Sequence, residues 1–100
     1  MNQSPAEVMA MLNAQTARLE WPALVRHFAR GVVIVVAPEL DLVAVAAAMV
    51  QDDRQRIEAW MHSGQVRNAT DTDAQRWHAA GSVFWAVVVA PWVLVQVCKQ

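Results

Sequence analysis

The sequence predicts an α+β fold with a small sheet of two central apolar strands and one short polar edge strand, together with about five short helices, in the order ααβααβαβ. Two uncharged, valine-rich segments, residues 32–37 and 82–97, have the β-branched composition of buried strands. The segments around them carry helix-capping residues and apolar residues at helical spacing. Each of the three glycines, Gly31, Gly64 and Gly81, follows a predicted helix and precedes a predicted strand. Glycine at this position can adopt the left-handed conformation that ends a helix.

The chain is organised around residues 82–97. This segment contains seven valines, two tryptophans and no charged residue. Because side chains alternate along a strand and both alternating sets here are apolar, the segment is predicted to be central in the sheet. Pro91 interrupts it, so residues 92–97 either continue this strand or form a separate one.

Capping residues predict where the helices begin. Ser4 begins a helix whose apolar stripe extends to Leu19. Trp21 and Pro22 end it, since the residue before a proline disfavours helical conformation. The remaining helices are predicted over residues 22–30 and 42–50 and after the caps Asp53 and Thr70. Residues 65–69 are polar enough for an edge strand.

Length and composition predict a single domain over residues 1–100 and exclude two classes of partner. Hydrophobic residues make up 56% and charged residues 17%, against about 45–50% and 25% in ordinary globular domains. The net charge of −1 provides no general attraction to nucleic acid or to an anionic membrane, so neither is expected as a partner. Residues 79–98 are uncharged, but their glycine, proline and valine content favours buried strands over a membrane span.

The chain has features expected of a cytoplasmic protein. Cys98 is the single cysteine and cannot form an internal disulfide, which fits a reducing compartment. The first residues lack the basic and apolar regions of a signal peptide. A cytoplasmic location is therefore expected.

A family resemblance rests on five short segments. They are Thr16-Ala17 with Trp21, residues 28–31, residues 37–42, Asp52-Asp53 and residues 85–96. Together they resemble the bacterial domain-of-unknown-function family numbered 2288, over nearly the whole chain. The resemblance implies a small bacterial protein that forms one domain. It implies no activity and no site, because the family has none assigned.

Two acidic residues form the best-placed polar group in the sequence. Glu39 and Asp41 follow a predicted strand and precede a predicted helix, and ligands of open sheets tend to bind beyond the carboxyl ends of strands. These acids, with Arg30, are candidates for binding a small ligand or a metal, or for acid–base catalysis. The simpler interpretation is that Asp41 caps the helix and Glu39 is a solvated turn residue.

No motif indicates catalysis, and no cofactor or metal is expected. The histidines have no recognisable ligand spacing, and the serines lie outside any Gly-x-Ser-x-Gly frame. The sequence therefore favours a non-catalytic module that associates with itself or with another protein. A ligand binder, a metal binder or a small enzyme at the acidic turn remains the alternative.

The apolar surplus predicts a homodimer. Both faces of the main strand and most of the third helix need covering, and five short helices are expected to be too few for this. The interface is predicted to include Trp85, Pro91 and Trp92, because tryptophan is enriched at binding hot spots. A monomer with helices over both faces of the sheet is the alternative.

Overall fold

Five strands and five helices make up the computed structural model, which describes residues 4–98. The strands are β1 (Ala17–Glu20), β2 (Val33–Val36), β3 (Val66–Asn68), β4 (Val83–Val89) and β5 (Trp92–Val97). The helices are α1 (Pro5–Gln15), α2 (Trp21–Ala29), α3 (Leu42–Val50), α4 (Arg54–His62) and α5 (Asp71–Ala80).

The strands form one mixed sheet in the order β1-β4-β5-β2-β3. Strands β2 and β5 are parallel, and the other neighbouring pairs are antiparallel. The predicted α+β class is confirmed, with the apolar strands inside the sheet and the polar strand β3 at one edge. No helix within residues 4–98 is long and apolar enough to cross a membrane.

The first predicted helix is too long, and a strand takes its last part. Helix α1 ends at Gln15, and residues 17–20 form β1, which pairs antiparallel with β4 from Ala17 opposite Ala86 to Glu20 opposite Val83. This strand is short and half polar, and its hydrogen bonds come from a segment far along the chain. Local periodicity therefore places Leu19 in the helical stripe, although it belongs to the sheet.

Residues 82–97 form a hairpin rather than one strand. Strands β4 and β5 pair antiparallel from Phe84 opposite Val97 to Val89 opposite Trp92. The turn between them contains a cis Ala90–Pro91 peptide bond. The question that the sequence left open is thus resolved, because Trp92–Val97 is a separate strand and occupies the centre of the sheet.

Helices cover both faces of the sheet. Helices α1, α3 and α4 cover one face, where Val36, Val87 and Leu94 are each at most 1% exposed. Helices α2 and α5 cover the other, where Phe84 and Val95 are fully buried. The premise that one subunit leaves a sheet face bare is therefore wrong, while the homodimer itself stays a prediction.

The predicted helix caps and the predicted left-handed glycines are confirmed, whereas the predicted end of the first helix is wrong. Asp41 accepts from the backbone N–H of Val43 at 3.0 Å, and Thr70 and Asp73 form a reciprocal capping box at the start of α5. The three glycines all have positive φ. At Gly81, φ is 61° and ψ is 42°, the left-handed conformation that ends α5 and turns the chain into β4.

Replacing Gly81 by alanine is expected to lower the free energy of unfolding by about 1 kcal/mol, measured by urea denaturation. No neighbouring atom lies within 4 Å of the position that a Cβ would take, so the loss comes from backbone conformation alone. Gly81→Asn is the matched control, because asparagine tolerates the left-handed region and should lose less. Equal stability of the alanine variant and the wild type would contradict this interpretation.

Candidate functional site

A cleft of about 500 Å³ opens at the carboxyl ends of the parallel strands β2 and β5, under the last turns of α5. We call it the α5 cleft. Val35 and Val97 provide its apolar floor, and Trp77 and Ala80 of α5 line it from above. Trp77 packs edge-on against Phe84 of β4, with ring centroids 4.9 Å apart. Helix α5 thus covers β4 and leaves the ends of β5 and β2 open.

The side chains of Arg67 and Arg76 lie at the rim of the α5 cleft, and both form ion pairs with the carboxylate of Asp73. The guanidinium of Arg67, on β3, donates to Asp73 in a bidentate arrangement, with Nη1–Oδ2 at 2.5 Å and Nη2–Oδ1 at 3.0 Å. Arg76, on α5, donates from Nη2 to Asp73 Oδ1 at 2.6 Å. The arginine side chains remain 41% and 64% exposed, whereas the Asp73 side chain is 4% exposed. The carboxylate is the buried anchor of this triad.

The environment of Asp73 keeps it ionised. The hydrogen bonds from Arg67 lower the pKa of Asp73 to about 2, against the opposing effect of burial. The backbone N–H and the hydroxyl of Thr70 also donate to Oδ2, at 2.8 and 3.0 Å, and lower this pKa further. The same ion pair raises the pKa of Arg67. At neutral pH the triad therefore carries two positive charges and one negative charge.

This arrangement is suited to binding an anion. One positive charge of the triad is not neutralised within it, and it lies beside an apolar floor and a tryptophan ring. Among the described residues that line the cleft, Arg67 and Arg76 are the charged ones. Guanidinium groups stay protonated at physiological pH, so they provide charge and directed donors rather than a general acid or base.

Comparison with known proteins gives a family. The sequence profile of the family described as "Protein of unknown function (DUF2288)" matches residues 7–97. The chain belongs to the DUF2288 family. It is also similar to PA1075 from Pseudomonas aeruginosa, whose NMR solution structure shares 36% sequence identity and a TM-score of 0.82 over 100% of this chain and 93% of that chain. No curated protein matches. The predicted resemblance is thus confirmed, and no activity comes with it.

The DUF2288 fold brings the predicted acidic residues near the α5 cleft but not into a common site with Arg30. Glu39 accepts a hydrogen bond from Nε2 of Gln65, a residue that lines the cleft, at 3.3 Å. Asp41 uses Oδ1 to cap α3. Arg30 ends α2 before β2 begins, whereas the two acids follow β2, so they lie at opposite ends of that strand. Within residues 4–98, no group of three or more metal-ligating side chains is placed to hold a metal ion.

The predicted interface residues lie at two places on the β4–β5 hairpin. Trp85 is 43% exposed, and the guanidinium of Arg18 stacks over its ring with Cζ 5.6 Å from the centroid. Gln96 lies opposite Trp85 and donates from Nε2 to the carbonyls of Ala37 and Leu40, at 2.8 and 2.7 Å. Pro91 is exposed and Trp92 is half-buried at the hairpin turn, at the other end of β4.

Sequence reasoning missed the triad. The spacing of Thr70 and Asp73 indicates a capping box, and Asp73 and Arg76 lie three residues apart on α5. Both signals suggest a structural role near the helix start. The pairing of Asp73 with Arg67 depends on the angle at which β3 leads into α5, which is a property of the folded chain.

Proposed function

We propose that this DUF2288 protein binds a small molecule in the α5 cleft, and that the molecule has a largely apolar body and one anionic group such as a carboxylate. The protein holds this molecule without transforming it. The binding residues are Arg76 and Arg67 for the anionic group and Val35, Val97 and Trp77 for the apolar body.

The convergence of Arg67 and Arg76 on one buried carboxylate carries this proposal. A single arginine would suffice to neutralise Asp73, and the second leaves an excess positive charge beside an apolar floor. Arg76 has one hydrogen bond to Asp73, from Nη2, while a guanidinium has five N–H donors. Donors therefore remain at the rim for a carboxylate, which guanidinium binds in a bidentate manner.

The dimensions of the cleft support the same conclusion. Its volume of about 500 Å³ lies within the roughly 300–1,000 Å³ of small-molecule sites. Such sites combine an apolar lining with a few polar groups that fix the orientation of the ligand. The alternative is that the triad only fastens α5 to β3, and in that case apolar anions would not bind better than other compounds.

The probe pair 4-phenylbutanoate and 4-phenylbutylamine tests the proposal, since the two share an apolar body and differ in charge. The carboxylate is expected to bind, with heat measured by titration calorimetry, and the amine is not. Arg76→Gln is expected to weaken binding of the carboxylate about tenfold, because a charged hydrogen bond is removed.

Arg54→Gln is the matched control variant. Arg54 also pairs with an aspartate, Asp52, at 3.4 Å, but on exposed α4 and outside the α5 cleft. Its loss should leave the affinity unchanged. Equal binding of carboxylate and amine, or equal effects of the two arginine variants, would overturn the proposal.

We propose self-association as a second function, because Trp85 is exposed beside β1, the strand at the edge of the sheet. An exposed tryptophan next to a sheet edge is a common feature of protein interfaces. Light scattering coupled to size exclusion should give about 22 kDa, twice the chain mass of 11.1 kDa. A mass of 11.1 kDa at all accessible concentrations would exclude it.

A further inference from the structure

Within residues 4–98, strand β1 pairs with one strand, and its other side is open. It pairs with β4 and occupies the end position of the sheet. An edge strand presents backbone N–H and C=O groups that a further strand can pair with. We call the open side of Ala17–Glu20 the β1 edge.

The hydrogen bonds around β4 show which backbone groups point outward at the β1 edge. Cys98 N–H donates to the Val83 carbonyl at 2.9 Å, so Val83 pairs with β5. Trp21 N–H donates to the Ser82 carbonyl at 3.3 Å, so Trp21 and Ser82, the pair that follows Glu20 and Val83, form a hydrogen-bonded pair. Because bonded and non-bonded pairs alternate in antiparallel strands, Glu20, opposite Val83, turns its backbone groups away from β4. By the same alternation, Arg18 does so too.

A two-fold axis at Leu19 brings the outward backbone groups of Arg18 in one copy opposite those of Glu20 in the other copy. In an antiparallel pair of β1 strands centred on Leu19, Arg18 of one copy lies opposite Glu20 of the other, twice. Arg18 C=O then accepts from Glu20 N–H across the axis. The Glu20 carbonyl is shared with α2, because Glu20 is the N-cap of that helix.

The side chains at this register are complementary as well. Arg18 and Glu20 are exposed and have opposite charges, so the register forms two cross-strand ion pairs. Leu19 is half-buried beside the α2 and α5 core cluster and meets its own copy at the axis, where cross-strand side chains come closest. The opposite sheet edge lacks this property, since pairing of β3 about its middle residue would place Arg67 against Arg67, already held by Asp73.

We infer that two copies of the chain associate through the β1 edge, antiparallel about a two-fold axis at Leu19. The result is a continuous ten-stranded sheet, twice the five strands of one copy. This inference rests on the proposed self-association and names its surface, which differs from the hairpin turn at Pro91 and Trp92.

Charge reversal tests the register directly. Arg18→Glu places two glutamates opposite each other across the axis, and Glu20→Arg places two arginines opposite each other. Each single variant should therefore raise the dimer dissociation constant about tenfold or more. An equimolar mixture of the two variants should form a heterodimer, because both of its cross-strand contacts then join a glutamate of one copy to an arginine of the other. The double variant carrying both reversals should dimerise by itself, because each contact then joins opposite charges again.

Arg56→Glu and Glu58→Arg on α4 are matched controls. Arg56 stacks over Trp60 at 4.9 Å, much as Arg18 stacks over Trp85, and the spacing to Glu58 is the same. Both controls should leave the dissociation constant unchanged. Circular dichroism of each variant shows whether it is folded. If the double variant dimerises, the loss of the dimer in the single variants is due to charge repulsion and not to unfolding.

The possible results distinguish association through the β1 edge from self-association in general. A wild-type chain that stays monomeric overturns both. A dimer that the single reversals leave intact overturns only the β1 edge, and so does a folded double variant that fails to dimerise. Loss of the dimer in each single variant and its return in the double variant support the β1 edge.

Discussion

Phe84→Ala is expected to lower the free energy of unfolding by about 3–5 kcal/mol, the largest single effect in the chain. Phe84 is fully buried at the centre of the α2 and α5 face, with the Trp77 ring edge-on at 4.9 Å. The ring centroids of Trp77, on α5, and Trp21, on α2, are 5.8 Å apart. Loss of the Phe84 ring therefore leaves a cavity where α2 and α5 meet the sheet. Since a domain is stable by only about 5–15 kcal/mol, the variant should be close to unfolding at 37 °C.

Urea denaturation measures this loss, and Val88→Ala is its control. Val88 lies on the same strand and the same sheet face as Phe84, but it is 58% exposed. Its truncation should cost only a few tenths of a kcal/mol, as is usual for exposed positions. Comparable losses in the two variants would contradict the arrangement of the core described above.

Asp73→Asn is expected to destabilise the protein by about 3 kcal/mol at pH 7, because two arginines lose the carboxylate that they share at a buried position. The loss depends on pH. The pKa of Asp73 in the folded protein, about 2, lies below the ordinary value of 3.8. Its ionisation therefore stabilises the fold above pH 3.8, and this contribution of about 2 kcal/mol disappears as the pH falls toward 2.

Unfolding free energies at pH 7, 4.5 and 2.5 test this dependence. The difference between wild type and Asp73→Asn should be largest at pH 7 and should shrink at pH 2.5. Asp71→Asn is the matched control, since Asp71 is an exposed acid in the first turn of the same helix. A difference that stays constant over this pH range would show that the ion pairs contribute nothing specific.

Local signals predict the helix ends well, because they depend on neighbouring residues. Asp41 and Thr70 cap α3 and α5 as predicted, through hydrogen bonds within three residues. Gly81 has the left-handed conformation that its position after a helix requires. The α+β class follows from these signals together with the two apolar segments.

Features that depend on distant pairing escape prediction. Strand β1 is defined by β4, and nothing in Ala17–Glu20 alone distinguishes it from the end of a helix. The acidic turn is correctly placed after β2, yet the cleft at that end is lined by Arg67 and Arg76, which come from β3 and α5. The sequence indicates the end of the sheet at which to search. The fold determines which charges meet there.

The binding of an apolar anion in the α5 cleft is tested most directly by titrating ¹⁵N-labelled protein with 4-phenylbutanoate and recording amide chemical shifts. The changes are expected at Arg67, Arg76, Ser82 and Val97, around the cleft, and to be much weaker with 4-phenylbutylamine. Shifts concentrated elsewhere on the surface, or identical shifts with the two probes, would contradict the assignment of this cleft as an anion-binding site.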